Sequence, residues 1–200
     1  MKRKIFIDCG ANLGQGFCEF VKMGKISDDT EVYSFEPNPY CDISEFTLKR
    51  AAKELGCNPK IKFYRSAILH EDGVCLIVVS YDPKRYDGEG VSVHGVGNVN
   101  TDNNLAMNGH SIPVRATRLV SFIEDLEISE EDELRIKIDI EGSEFYVLKD
   151  MIKTFSKWSC LKEIWVEWHE RYMRGFDPEK ERSEIEQSFE KMGVSIQTWI

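Results

Sequence analysis

Five short apolar runs alternate with amphipathic segments along this chain, and that alternation limits its fold more than any other feature. The runs are KIFID (Lys4–Asp8), EVYSFE (Glu31–Glu36), KIKFYRSAI (Lys60–Ile68), LRIKIDI (Leu134–Ile140) and LKEIWVEWH (Leu161–His169). Each has the length of a strand and is rich in β-branched or aromatic residues. Between them apolar residues recur at helical spacing: Phe17, Phe20 and Val21; Leu48, Ala51, Ala52 and Leu55; Phe145, Leu148, Ile152 and Phe155; Ile185, Phe189 and Met192. Asp177-Pro178 opens the last of these helices and Gly193 closes it, as helix termini prefer. Strands and helices in series predict an α/β fold with a mostly parallel central sheet and helices on both faces. Ligands of such sheets sit beyond the carboxyl ends of the strands, near the point where strand order reverses. The polar residues that follow each strand are therefore the candidates for chemistry.

One region breaks the rhythm. From Tyr81 to Ile112 the sequence carries five glycines and five asparagines with no sustained period, which predicts a long inserted loop of the kind used as a lid or binding wall. It is flanked by VCLIVVS (Val74–Ser80) and IPVRATRLV (Ile112–Val120), read as added strands that pair with each other. The chain, 1–200, reads as a single domain, long enough to bury its own core without a metal or disulfide. Its six cysteines show no C-x-x-C pair, and Asp8 stands where a signal peptide would still be apolar, which points to a reducing, cytoplasmic setting. No apolar run approaches the ~20 residues of a membrane span. A net charge of -9 disfavours nucleic acid as a partner.

The stretch IFIDCGANLGQGF (Ile5–Phe17) turns a buried strand into a helix over Gly10-Ala11-Asn12-Leu13-Gly14. Glycines there allow a tight turn and close ligand approach, and the helix start offers unpaired N–H groups. Glu36 ends the second strand, about 20 residues on, where an acid can accept both hydroxyls of a ribose. Asn12 stands where a dinucleotide loop has its second glycine, so the pattern points to a nucleoside ligand without a pyrophosphate.

In IDCGANLGQGF, SFEPNP (Ser34–Pro39), KIDIEGSEFYVLK (Lys137–Lys149) and EIWVEWHE (Glu163–Glu170), the sequence resembles the FkbM-type S-adenosylmethionine-dependent methyltransferases. The resemblance implies a Rossmann-like class I methyltransferase fold and methyl transfer to a hydroxyl oxygen of a sugar, glycan or other small acceptor. It also implies that Asp8, Gly10, Ala11, Asn12 and Gly14 wrap the methionine part of the cofactor, that Glu36 holds the ribose beside Pro37 and Asn38, and that Ser66 and Ala67 contact the adenine. Relatives often read leucine-aspartate where this chain has Leu119-Val120-Ser121. The wider fold also closes its sheet with an antiparallel hairpin, whereas here VSIQTWI follows the last helix; the expected outcome is a shorter edge, or one completed by a strand flanking the long loop.

Methylating an alcohol requires in-line placement and a base within hydrogen-bond reach of the hydroxyl. The acids and histidine after strands four and five are the candidates: Asp139, Glu141, Glu167 and His169. Lys137, Asp139 and Glu141 alternate on one side if the strand continues that far, as do Glu167 and His169, so Asp139 and His169 should meet. Asp139 reads as a charge near the sulfonium or an orienter, with His169 or Glu141 as base. Asp139 and Glu141 also fit an acid pair at a helix N-terminus, and His169 a buried structural histidine. Of Trp165 and Trp168, which point to opposite faces, at least one is core and the other is a candidate to stack on a sugar. His94 and His110 fall in the long loop. Scattered acids neither require nor exclude a metal, and oligomeric state is not encoded. Three other functions share parts of the pattern: an inactive methyltransferase-like binding protein, a ribose 2'-O RNA methyltransferase with Lys137, Asp139 and Glu167, and, least well matched, a nicotinamide-dependent oxidoreductase.

Overall fold

A six-stranded parallel sheet carries the fold. The computed structural model describes residues 2–80, 91–94, 109–170 and 177–199. In chain order the elements are β1 (Lys4–Cys9), α1 (Gln15–Lys22), β2 (Thr30–Phe35), α2 (Glu45–Glu54), β3 (Lys60–Tyr64), β4 (Ala67–Leu69), β5 (Gly73–Ser80), β6 (Val91–His94), β7 (Gly109–Arg118), α3 (Leu119–Asp125), β8 (Glu133–Ile138), α4 (Glu144–Thr154), β9 (Leu161–Val166), α5 (Pro178–Lys191) and β10 (Ser195–Thr198).

Alternation along the strands divides the core between two faces. Ile5, Ile7, Cys9, Ile136 and Ile138 face α3, α4 and α5, where they meet Val120, Ile123, Phe145, Leu148 and Phe189. Phe6, Val32 and Trp165 face α1 and α2 and pack on Phe17, Phe20 and Leu48. Phe20 is central there, 4.7 Å from Phe6, 4.8 Å from Trp165 and 4.9 Å from Trp199 between ring centroids. Burying each such ring contributes roughly 1.5–3 kcal/mol. The helix ends follow local chemistry: Ser44 and Thr47 form a capping box at α2, and Asp177 caps α5 ahead of Pro178.

The strand order reverses between β1 and β8. From β1 the chain steps outward through β2 and β3, and from β8 through β9 and β10, and the crevice at such a reversal is where α/β sheets bind their ligands. Register places Asp8 beside Ser34 on β2 and Lys137 on β8.

Three expectations need correction. The Lys60–Ile68 run is not one strand: it breaks at Arg65-Ser66, and β4 joins a second sheet of order β4-β7-β5-β6. The break follows from side-chain commitments, since Arg65 turns back to the carbonyls of Asn38 and Ile43 while the Ser66 hydroxyl lies 2.7 Å from that of Thr117 on β7. Leu119 and Val120 end no strand; they open α3, and both are buried against the main core. The flanking runs pair with each other as expected, β5 antiparallel to β7. They do not complete the main sheet, whose edge is β10, parallel to β9. Of the Tyr81–Ile112 excursion, residues 81–90 and 95–108 lie outside the described residues, as do the side chains of His94 and His110. Among the described residues no helix is long and apolar enough to cross a membrane.

Candidate functional site

The tip of β1 is held down by its neighbours before any ligand is considered. Gly10 and Ala11 both donate to the carbonyl of Phe35, at 3.0 and 2.9 Å, and Asp139 donates to that of Cys9 at 3.0 Å. Gly10 has φ 86°, and a Cβ there would lie 1.7 Å from the Asp139 carbonyl oxygen. Only glycine fits. Asn12 (φ 47°) and Gly14 (φ 88°) complete a left-handed turn into α1, whose amides are engaged within the protein, that of Asn12 by Glu36, that of Leu13 by the Gln15 side chain and that of Gly14 by the Ala11 carbonyl.

Glu36, 6% exposed, closes one end of that crevice. One carboxylate oxygen accepts the Asn12 amide and the other the Asn38 amide, both at 2.8 Å. Burial pushes its pKa up, against these amides and the cations Arg65 and Lys137. Each oxygen keeps a second lone pair, so a vicinal diol can still dock on the pair. Pro37 is buried behind it. Arg65, which sequence reasoning missed, fixes this wall by donating to the carbonyls of Asn38 (2.6 Å) and Ile43 (2.8 Å). Nothing in its local sequence marks it, because its partners lie more than twenty positions away.

Lys137 links the two halves of the sheet under the crevice. Its ammonium lies 3.4 Å from Asp8 and 3.0 Å from Asp139, and donates to the Gly10 carbonyl at 2.7 Å. Burial opposes its charge, but Asp8 and Asp139 outweigh burial and raise its pKa. Asp8 is fully buried, and burial raises its pKa despite Lys137. Its Oδ1 accepts no hydrogen bond among the described residues.

The predicted alternation through Glu141 fails, because β8 ends at Ile138 and Glu141 adopts φ 54°. The turn nevertheless delivers the side chains together. Candidate ligand atoms of Asp139, Glu141 and His169 lie within 4.8 Å of one another. The His169 Nε2 is 3.3 Å from Glu141 and 3.5 Å from Glu167, and its Nδ1 is 2.8 Å from Glu144. Burial works against the imidazolium, yet Glu144, Glu141 and Glu167 prevail and lift its pKa to about 9. His169 therefore carries a proton at neutral pH. Burial, then Asp139 and Glu141, raise the pKa of Glu167 against the pull of His169, which makes it a stronger base than an ordinary glutamate.

The acid at the α4 N-terminus is Glu144, not the Asp139–Glu141 pair. Glu144 was missed in the sequence, because its bond to His169 spans 25 positions. Ser66 and Ala67 have side chains engaged inside the fold, the serine with Thr117 and the Arg115 carbonyl, the alanine in the second sheet's core. Neither tryptophan is set aside for a sugar: Trp165 lies against Phe20, and Trp168 packs on Phe145 with the Arg182 guanidinium over its ring.

Comparison with known proteins bears on what this crevice holds. The profile of the family described as "Methyltransferase FkbM domain" matches residues 8–194. No curated protein matches. A solved structure of methyltransferase FkbM from Methylobacillus flagellatus KT is similar at 18% identity and a TM-score of 0.38, over 76% of this chain and 29% of that chain. The chain thus spans less than a third of that protein's length.

Proposed function

The chain belongs to the FkbM methyltransferase family, and from that premise we propose that it is an S-adenosylmethionine-dependent O-methyltransferase acting on a hydroxyl of a sugar, glycan or other small acceptor. The observation that carries the reading is Glu36: a buried carboxylate with one lone pair left on each oxygen, facing a glycine turn at the start of α1. A ribose diol satisfies that geometry with two charge-assisted hydrogen bonds. Asp139, partly exposed beside Lys137, suits a ligand that brings a positive charge. The residues present thus fit the cofactor, with Gly10 to Gly14 along its methionine part and Glu36, Pro37 and Asn38 at its nucleoside.

When bound, S-adenosylmethionine supplies an already activated methyl group. What remains for the protein is alignment and removal of the acceptor's proton. His169 is protonated at neutral pH, so the base is one of the carboxylates it holds, Glu141 or Glu167. A base so placed contributes ~10²–10⁴-fold to the rate. Lys137 plays no part in proton transfer, because its ammonium is enclosed by Asp8, Asp139 and the Gly10 carbonyl. The 1–200 chain works as one catalytic domain.

Incubating the protein with methyl-labelled S-adenosylmethionine and a panel of sugars, nucleotide sugars and glycans tests the proposal. Label on a hydroxyl of one acceptor class, lost in Glu167→Gln or Glu141→Gln, is the expected result. Label on nitrogen or sulfur acceptors instead would overturn the oxygen assignment.

A further inference from the structure

Resting on the methyl-transfer reading, we infer that Glu144 is the positioning residue of the site: one buried carboxylate that fixes both the acid-bearing turn after β8 and the imidazole after β9. Glu144 is 0% exposed. Its Oε1 accepts the Ile140 amide at 3.0 Å and faces the His169 Nδ1 at 2.8 Å, and its Oε2 accepts the Gly142 amide at 3.0 Å. Those two amides flank Glu141, the residue with φ 54°. A non-glycine residue in that region is strained and persists only where its surroundings hold it. Glu144 fixes the peptide groups on either side of it. Ser143, at the cap position, makes no side-chain cap bond, and the carboxylate of the first helical residue turns back from the helix onto the preceding turn. The α4 dipole favours a negative charge there.

The same carboxylate dictates the state of His169. An ionised carboxylate only accepts hydrogen bonds, so Nδ1 carries the hydrogen. Nε2 then faces Glu141 and Glu167, also acceptors, and carries the second. Among the described residues, Glu144 from α4, Glu141 from the turn before it and Glu167 from the segment of His169 itself face the ring, and Asp139 lies beside the same cluster. Glu144 thus acts through other residues: it orients the imidazolium, which in turn orients the two carboxylates that compete for the acceptor's proton. The device joins the tips of β8 and β9 without touching the nucleoside end of the crevice, where Glu36 and Asn12 stand.

The test is a pH titration of histidine ring nitrogens by long-range proton–nitrogen NMR on protein labelled at its four histidines, the His169 signal being the one lost in His169→Asn. In the wild-type protein both ring nitrogens of His169 should carry hydrogens through neutral pH and release one near pH 9. In Glu144→Gln the release should fall by at least about one unit, toward the ordinary histidine value near 6.5. A wild-type His169 that is neutral at pH 7, or holds its hydrogen on Nε2 alone, overturns the inference; this result needs no variant and so does not depend on whether Glu144→Gln folds. An unmoved release in folded Glu144→Gln overturns it as well. S-adenosylhomocysteine binding, measured calorimetrically on the same wild-type sample, separates the two readings: its absence counts against methyl transfer, whereas the titration alone decides the role of Glu144.

Discussion

Replacing Lys137 by methionine probes the group on which the centre of the sheet depends. Its side chain is 2% exposed, and its ammonium is shared by Asp8, Asp139 and the Gly10 carbonyl. Methionine fills a similar volume, so the loss is chiefly electrostatic: Asp8, fully buried, is left with an uncompensated charge. Breaking a buried pair in this way costs about 3–5 kcal/mol. In a domain of this size each kcal/mol moves the melting temperature by about 2–4 °C, so the variant should melt roughly 6–20 °C lower at pH 7. The pH dependence adds a sign. In the wild-type protein the Lys137 pKa is raised above 10.5, so its stabilisation is complete below that pH and disappears as pH rises through the folded value. In the variant the lysine no longer pulls Asp8 down, and burial lifts its pKa further above the ordinary 3.8. An acid whose folded pKa is raised takes up a proton on folding, so the variant's deficit should shrink as pH falls from 7 toward 4. Asp8→Asn added to Lys137→Met should recover part of the loss. Urea unfolding across that range is the assay. A variant as stable as wild type at pH 7, or a deficit that does not vary with pH, would refute the reasoning.

Gly10→Ala should destabilise the fold by more than about 2 kcal/mol, since it combines a left-handed φ with a methyl against the Asp139 carbonyl; an unchanged urea midpoint contradicts the packing described for that turn. Arg65→Met frees the carbonyls of Asn38 and Ile43 and should weaken S-adenosylhomocysteine binding by about tenfold, the equivalent of 1.4 kcal/mol in a calorimetric titration; unchanged affinity would remove Arg65 from the account of the ribose wall. Burial pushes the thiols of Cys41 and Cys75 to about 12 and about 11, so both should alkylate far more slowly with iodoacetamide at pH 8 in the native protein than after unfolding. Rapid native labelling of either, located by mass spectrometry, would show that its strand or loop opens.

Strand and helix periods made most of the architecture readable. Ile5-Phe6-Ile7 and Ile136 alternate against two different helix layers, and such alternation is local information. The places where the reading failed are those where a distant partner overrode it. Arg65 and Ser66 sit inside an apolar run, and only the carbonyls of the 38–43 loop and the hydroxyl of Thr117 explain why the strand stops there. Leu119 and Val120 look like strand residues because β-branched and leucine side chains suit a buried helix equally well. At the site, Glu36 and the Gly10–Gly14 turn were legible because both belong to strand-end chemistry with a fixed offset. Asp139 and His169 were rightly placed near each other, since β8 and β9 are neighbours. The protonated state of His169 was not legible, because it depends on Glu144 and Glu141, which no periodicity connects to it.

The central claim is that a sulfonium nucleoside docks across the tips of β1 and β2 with its diol on Glu36. Titrating S-adenosylmethionine into the wild-type protein and into Glu36→Ala in a calorimeter addresses it directly. The account predicts one molecule bound per chain, and an affinity in the variant lower by roughly 10²-fold, as the loss of a charge-assisted pair of hydrogen bonds requires. No heat of binding to the wild-type protein, or equal affinity in the two, would contradict it.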